Sequence, residues 1–130
     1  MDDQNLIQKD LIKKIIGDAR GAVGIRLCAI GVDLGIFKDL AQNGAATSEE
    51  LAERTKLDER YLREWGLGMF SLGYLDFDKV SRKISLNKEF IPVLVEEGGK
   101  FSQKGLIEIL NSSLLLHLIF TSAPLLNLEF

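Results

Sequence analysis

Residue types that commonly carry enzymatic chemistry are scarce in this chain of 130 residues. Cys28 is its only cysteine and His117 its only histidine, so one chain can form neither a disulfide nor a zinc site of Cys and His ligands. No Gly-x-Gly-x-x-Gly loop follows a predicted strand, and the chain has neither a Walker loop nor a set of Ser, His and Asp. The sequence therefore predicts no catalytic residue, no metal ligand and no cofactor-binding residue.

Positive charge is not in excess either. The chain has 16 basic and 19 acidic residues, a net charge of −3, whereas proteins that bind DNA or anionic lipid usually carry clustered basic residues. Residues 109–128 carry no charge, but polar residues and a proline divide them into apolar pieces far shorter than the ~20 residues of a membrane span. The acidic start of the chain, residues 1–4, is unlike a signal peptide. We therefore expect a cytoplasmic protein that does not enter the membrane.

Helical periodicity dominates the first 42 residues. Apolar residues at helical spacing predict a helix over 5–16, a Gly-rich apolar stretch follows over about 18–34, and a short helix is predicted over 36–42. The first helix offers more apolar surface than a small winged core can cover, so residues 1–35 are predicted to be N-terminal dimerisation helices. Its apolar residues are Leu6, Ile7, Leu11, Ile12, Ile15 and Ile16.

Small residues recur within this region at spacings of 4, 3, 4, 3 and 4, which places them on one helix face. Glycine inside a helix costs up to about 1 kcal/mol relative to alanine, so a row of glycines needs a compensating gain. One interpretation is close packing of another helix, and the other is that the glycines break the region into short helices. Packing is favoured for Gly21, Gly24, Cys28 and Gly31, the candidate helix-packing and dimer face, whereas both interpretations stay open for Gly17 and Gly35.

The middle of the chain has the pattern of two helices joined by a tight turn. Thr47 and Glu50 form a capping box ahead of a helix over 48–55, and Asp58 can cap the next helix over 59–72. On the helix over 59–72 the apolar residues follow a 3-4 spacing, and we expect its tryptophan to be buried against the helix over 48–55 and the hairpin. The candidate core anchors are Tyr61, Leu62, Trp65 and Met69.

Alternating apolar residues then predict two short strands, over 74–78 and 83–87. Helix, turn, helix and hairpin are the parts of a winged helix-turn-helix. The predicted fold is therefore mainly α-helical with a small β-hairpin, a winged core over 36–97 and extra helices before and after it. A helix is predicted over 88–97. Residues 98–130 are predicted to be a linker, with a hinge at its two glycines, and a terminal helix over 100–120.

DNA binding is the first function that a helix-turn-helix suggests. Residues 58–72 carry three acidic and two basic side chains, and residues 48–56 carry the same numbers, so each helix has a net charge of −1. Only the hairpin is basic, through Lys79, Arg82 and Lys83. Because acidic helices are repelled by phosphates, nucleic acid is not the expected partner, and a winged-helix transcriptional regulator is kept as the alternative.

Four segments form a distinctive set: residues 31–41, 47–55, 57–65 and 73–75, of which the string RYLREW at 60–65 is the most specific. Together they resemble the N-terminal winged-helix domain of bacterial class I S-adenosylmethionine-dependent methyltransferases. The resemblance covers about residues 20–97. It implies a domain that mediates dimerisation and helps to cover the substrate pocket, ahead of a Rossmann-like domain that binds S-adenosylmethionine.

The sequence departs from that family in two ways. Gly66 and Gly68 stand where the family carries better helix formers, and they are expected to loosen the second helix. The chain is also expected to stop before the cofactor-binding domain, so that it binds no S-adenosylmethionine and is inactive alone. The resemblance then implies a homodimer or pairing with a full-length methyltransferase. A free-standing interaction protein that pairs in this way is the third hypothesis.

Overall fold

The computed structural model of the chain describes residues 2–112, except the side chain of Ile109. Its first element, α1, is one continuous helix over Asp3–Asp33. The two stretches that the periodicity separated are therefore joined, since Gly17 and Gly21 lie inside the helix without breaking it. Gly35 follows in the left-handed region with φ of +70°, which glycine adopts without steric cost, and it turns the chain into α2.

Three helices follow, and polar side chains begin two of them. The Thr47 hydroxyl accepts a hydrogen bond from the Glu50 N–H, and the Glu50 carboxylate accepts one from the Thr47 N–H at 3.0 Å, so the predicted capping box is confirmed. The Asp58 carboxylate accepts bonds from the first N–H groups of α4, also as predicted. The helices are α2 (Ile36–Asn43), α3 (Ser48–Thr55) and α4 (Glu59–Ser71).

The hairpin consists of β1 (Leu75–Phe77) and β2 (Ile84–Leu86), which pair antiparallel with Leu75 opposite Leu86. Each strand is one residue shorter at either end than the sequence predicted. Ile84 also exchanges backbone hydrogen bonds with Ala46, at 2.8 and 3.0 Å, and this bridge ties the wing to the α2–α3 linker. The mainly α-helical winged fold with a small hairpin is confirmed.

The segment after the wing differs from its prediction. In place of one helix over 88–97 there is a 3-10 turn at Lys88–Phe90 and a single turn of helix, α5, at Ile91–Leu94. Pro92 has no N–H to donate, which explains why a regular helix does not run through it. The last described helix, α6, covers Lys104–Asn111 and packs against α1. The predicted terminal helix over 100–120 lies outside the described residues from 113 onward.

One hydrophobic core connects these elements. The C-terminal third of α1 contributes Cys28 and Ala29, and α6 contributes Ile107, so the flanking helices and the winged core share the same interior. The buried residues of that core are Cys28, Ala29, Ile36, Phe37, Leu40, Ala46, Leu51, Leu62, Trp65, Met69, Leu75, Ile84, Leu94 and Ile107. Within the described residues no helix is both long enough and apolar enough to cross a membrane.

Two glycines of α4 have a different role from the one expected. The helix continues through Gly66 and Gly68 without interruption. A Cβ at Gly66 would lie 3.2 Å from Ile84 Cδ1, and a Cβ at Gly68 would lie 3.0 Å from Leu27 Cδ1. These glycines therefore let the wing and α1 approach α4 closely, and this packing offsets their low helix propensity.

Candidate functional site

The N-terminal two thirds of α1 form the most unusual surface of the molecule. Every residue from 2 to 23 is exposed. Arg20, near the end of this part, donates a hydrogen bond from its guanidinium to the Ser71 carbonyl at 3.2 Å. Its large apolar side chains are between 48% and 68% exposed. They are Leu6, Ile7, Leu11, Ile12, Ile15, Ile16 and Val23. A helix that needed no contact would carry polar residues at these positions.

The candidate dimer face divides into an open and a closed part. Gly21 is exposed, with nothing within 4 Å of a would-be Cβ. Gly24 is buried beside Leu72 and Tyr74, and Cys28 lies in the core. A Cβ at Gly31 would come within 2.5 Å of Phe37 and 2.7 Å of Trp65. Close packing thus occurs at Gly31, but against the chain's own α2 and α4, so Cys28 and Gly31 are not available to a second chain.

The buried thiol of Cys28 is poorly suited to chemistry. Burial raises the pKa of Cys28, and a hydrogen bond with Tyr74 offsets only part of that rise. Burial also raises the pKa of Tyr74, with Cys28 adding to the effect. Both groups are therefore neutral at physiological pH, and a protonated thiol is a weak nucleophile.

Three of the four candidate core anchors are buried, and one is not. Trp65 is 5% exposed, and its Nε1–H donates to the Leu27 carbonyl at 2.9 Å. Its ring contacts Phe37 with centroids 5.4 Å apart, so Trp65 is buried as predicted and packs on α1 and α2. Leu62 and Met69 are also buried. Tyr61 is 73% exposed, so the prediction for it was wrong. It lies at the edge of the buried face of α4, and its ring therefore points to solvent.

Tyr61 instead stands at the edge of an apolar groove that the sequence did not reveal. The groove runs between the end of α1 and the start of α4, and Ile30, Leu34 and Leu57 line it together with Tyr61. Ile30 and Leu34 are 42% and 53% exposed. Asp58 lies at the rim of the groove. Only the tertiary contact of α1 with α4 brings these residues together, so periodicity within one helix could not have identified the site.

The face that would read DNA is poorly suited to that task. The outer surface of α4 exposes Leu67 and Phe70, and Arg63 is paired with Glu59 at 3.6 Å. Arg82 of the wing lies near Glu49 of α3; the pKa of Glu49 is lowered mainly by hydrogen bonds to backbone and Ser48, and slightly by this charge. Carboxylates thus accompany the basic residues on this face, which opposes docking against phosphates.

Metal chemistry has no support in the described part of the chain, where no three His, Cys, Asp or Glu side chains are grouped so that they could hold an ion. Two apolar surfaces stand out among the described residues: the exposed side of α1 and the groove next to Tyr61. Apolar surfaces of this kind are suited to contacts with another protein.

The helix-turn-helix and the hairpin bridged to it define the chain as a winged-helix protein. Within that class, the chain belongs to the Rv2258c-like winged HTH domain family, whose family model matches residues 21–95, more than half of the sequence. A search of curated proteins gives no match.

Solved structures show the same fold. PigF, in a structure with SAH, superposes with a TM-score of 0.68 at 16% identity, over 86% of this chain and 32% of PigF. At that identity the likeness concerns the fold alone. An O-methyltransferase family 2 protein from Planctomyces limnophilus, in complex with apigenin, superposes with a TM-score of 0.61 at 25% identity, over 78% of this chain and 30% of the other. The chain therefore spans about a third of the length of these proteins and is a methyltransferase-associated winged-helix domain.

Proposed function

We propose that the chain is the dimerisation and substrate-lid module of an S-adenosylmethionine-dependent methyltransferase, with the cofactor-binding domain lying outside these 130 residues. The observation that carries the proposal is the exposed apolar side of α1, in a domain whose fold is shared with part of an O-methyltransferase. A second copy of the same chain is the simplest partner for such a surface, since symmetric dimers are the commonest oligomers.

Burial of this surface would favour association. Full burial of one Leu or Ile side chain contributes about 1.5–3 kcal/mol, so the six apolar residues of the first helical segment, roughly half exposed, would contribute roughly 5–10 kcal/mol per chain if all were covered. For two chains this contribution is of the same order as the association cost of about 4–15 kcal/mol.

The lid role depends on the family resemblance and on the fold shared with the apigenin-bound O-methyltransferase. If a cofactor-binding domain follows, the adjoining coding sequence should encode a strand and then a Gly-rich turn shortly downstream. Reading that sequence tests this part of the proposal. A stop codon directly after residue 130 would instead favour a free-standing partner of a full-length methyltransferase.

Sedimentation of a charged double variant tests the dimer. Ile12→Glu with Ile16→Glu places two carboxylates on the exposed apolar side of α1 and should convert the dimer to a monomer, with unchanged helical circular dichroism. Lys14→Glu is the matched control: it lies on the opposite side of the same helix, changes the net charge by the same −2, and should leave the dimer intact. A wild-type chain that sediments as a monomer throughout the micromolar range would refute the proposal.

A further inference from the structure

Seven apolar residues of α1 and its C-cap follow a palindromic spacing. Counted from Val23, they lie 4, 7 and 11 residues away in both directions along the chain. At 3.6 residues per turn these positions fall on one line along the helix, whereas the other exposed apolar residues of α1 lie beside it. The line consists of Ile12, Ile16, Ala19, Val23, Leu27, Ile30 and Leu34, the last immediately after the helix. All of them are exposed except Leu27, which is half-buried against α4 at Gly68.

The two ends of the line have complementary shapes. At the N-terminal end Ile12 and Ile16 stand as a bare ridge, 56% and 54% exposed. At the C-terminal end Ile30 and Leu34 form one wall of the groove, and Tyr61 of α4 stands on the other side. The ridge is separated from its own groove by about 27 Å of continuous helix, so it cannot fold back to fill it.

We infer that the groove of each chain receives the ridge of a second copy, in an antiparallel α1–α1 pair whose twofold axis passes next to Val23. This inference builds on the proposed dimer and assigns its contact. In that arrangement residue 12 lies opposite 34 of the other chain, and residue 16 lies opposite 30. Both grooves are therefore filled by one symmetry operation, as an isologous interface requires. Ala19 and Val23 lie near the axis, where small side chains allow the helices to approach.

Charges flank the ridge and the groove in a complementary way. α4 packs on the side of α1 that carries Gly24 and Gly31. Lys13 lies on the same side of α1, in the N-terminal half of the helix. In the antiparallel pair, Lys13 of one chain is level with residue 33 of the other. Asp58 lines the same groove as Ile30 and Leu34. In the inferred pair the basic flank of the ridge is therefore close to an acidic residue of the groove.

Pulsed electron-electron spin distances test the pairing in the full chain. Single nitroxide labels at Asp10→Cys and at Ala22→Cys, both exposed sites away from the line, are introduced with Cys28→Ser to remove the native thiol. An antiparallel pair centred on Val23 predicts about 40 Å between labels at 10 and under about 20 Å between labels at 22. Similar short distances at both sites would mean a parallel pair and overturn the inference, although the proposed dimer would stand. A monomer without dipolar coupling would overturn the proposed function as well.

A charge placed in the groove gives a second test. Tyr61→Lys brings a cation toward Lys13 of the other chain, and its exposure means that the fold should tolerate the change. The dimer dissociation constant should rise at least about tenfold by sedimentation equilibrium. Leu67→Lys is the matched control: it is an exposed apolar residue of α4 outside the groove, and it should leave the constant within about twofold. An unchanged constant for Tyr61→Lys would exclude the groove as the contact.

Discussion

The two ends of α1 belong to the same helix but differ in how far the rest of the chain covers them. From Gly24 to Gly31 the helix presents small residues to its own chain, and Phe37 and Trp65 pack against it too closely for a Cβ at Gly31. From residue 2 to 23 it is exposed and rich in isoleucine and leucine. The large exposed apolar residues thus mark the part of the helix that its own chain does not cover.

The difference shows why the row of small residues alone could not locate a dimer interface. Close approach needs a partner surface, and at Gly31 the chain's own aromatic residues provide it. At Gly21, with the same residue type in the same row, nothing lies within 4 Å. Exposure of large apolar side chains is the feature that separates the two regions.

Removing the tryptophan should have the largest effect on the packed end. Trp65→Ala empties the space next to Gly31 and leaves the Leu27 carbonyl without its indole partner. The expected loss of unfolding free energy is about 3–5 kcal/mol, a large share of the total for a small domain. Chemical denaturation followed by circular dichroism measures it. A midpoint close to that of the parent would show that Trp65 does not hold α1 against α4.

A methyl group added at each end of the helix compares the two regions directly. Gly31→Ala should cost about 1–3 kcal/mol, since the aromatic rings must shift. Gly21→Ala, at an open helical site, should instead stabilise the chain by up to about 1 kcal/mol. Both values come from thermal or urea unfolding at fixed protein concentration. Equal effects of the two substitutions would mean that the two regions of α1 do not differ in packing.

The smallest effect is expected from S-adenosylmethionine. If the exposed part of α1 serves protein contact, the isolated chain should bind no cofactor, because the sequence encodes no Gly-rich loop after a strand. Calorimetric titration should then show no heat of binding, and the melting temperature should not change. Saturable micromolar binding at one site per chain would assign that surface a different role.

Much of the fold could be predicted from local chemistry. The capping box at Thr47, the cap at Asp58 and the change of apolar spacing after Gly73 place α3, α4 and the wing to within a residue or two. The same reasoning separated α1 into two parts at Gly17. Local patterns do not show whether the helical residues on both sides offset the cost of one glycine inside a helix. The same reasoning also placed one helix over 88–97, where the chain forms a 3-10 turn followed by a single turn of α-helix.

The remaining features depend on contacts between distant segments. Tyr61 has the same helical spacing as the buried residues of α4, and only the position of α1 and α2 decides that Trp65 faces inward while Tyr61 faces the groove. Gly66 and Gly68 similarly gain their role from Ile84 and Leu27. The sequence by itself determined which segments are helical and where they begin, because caps and periodicity act over a few residues. Tertiary structure decided which apolar faces are covered, because burial depends on which surfaces meet.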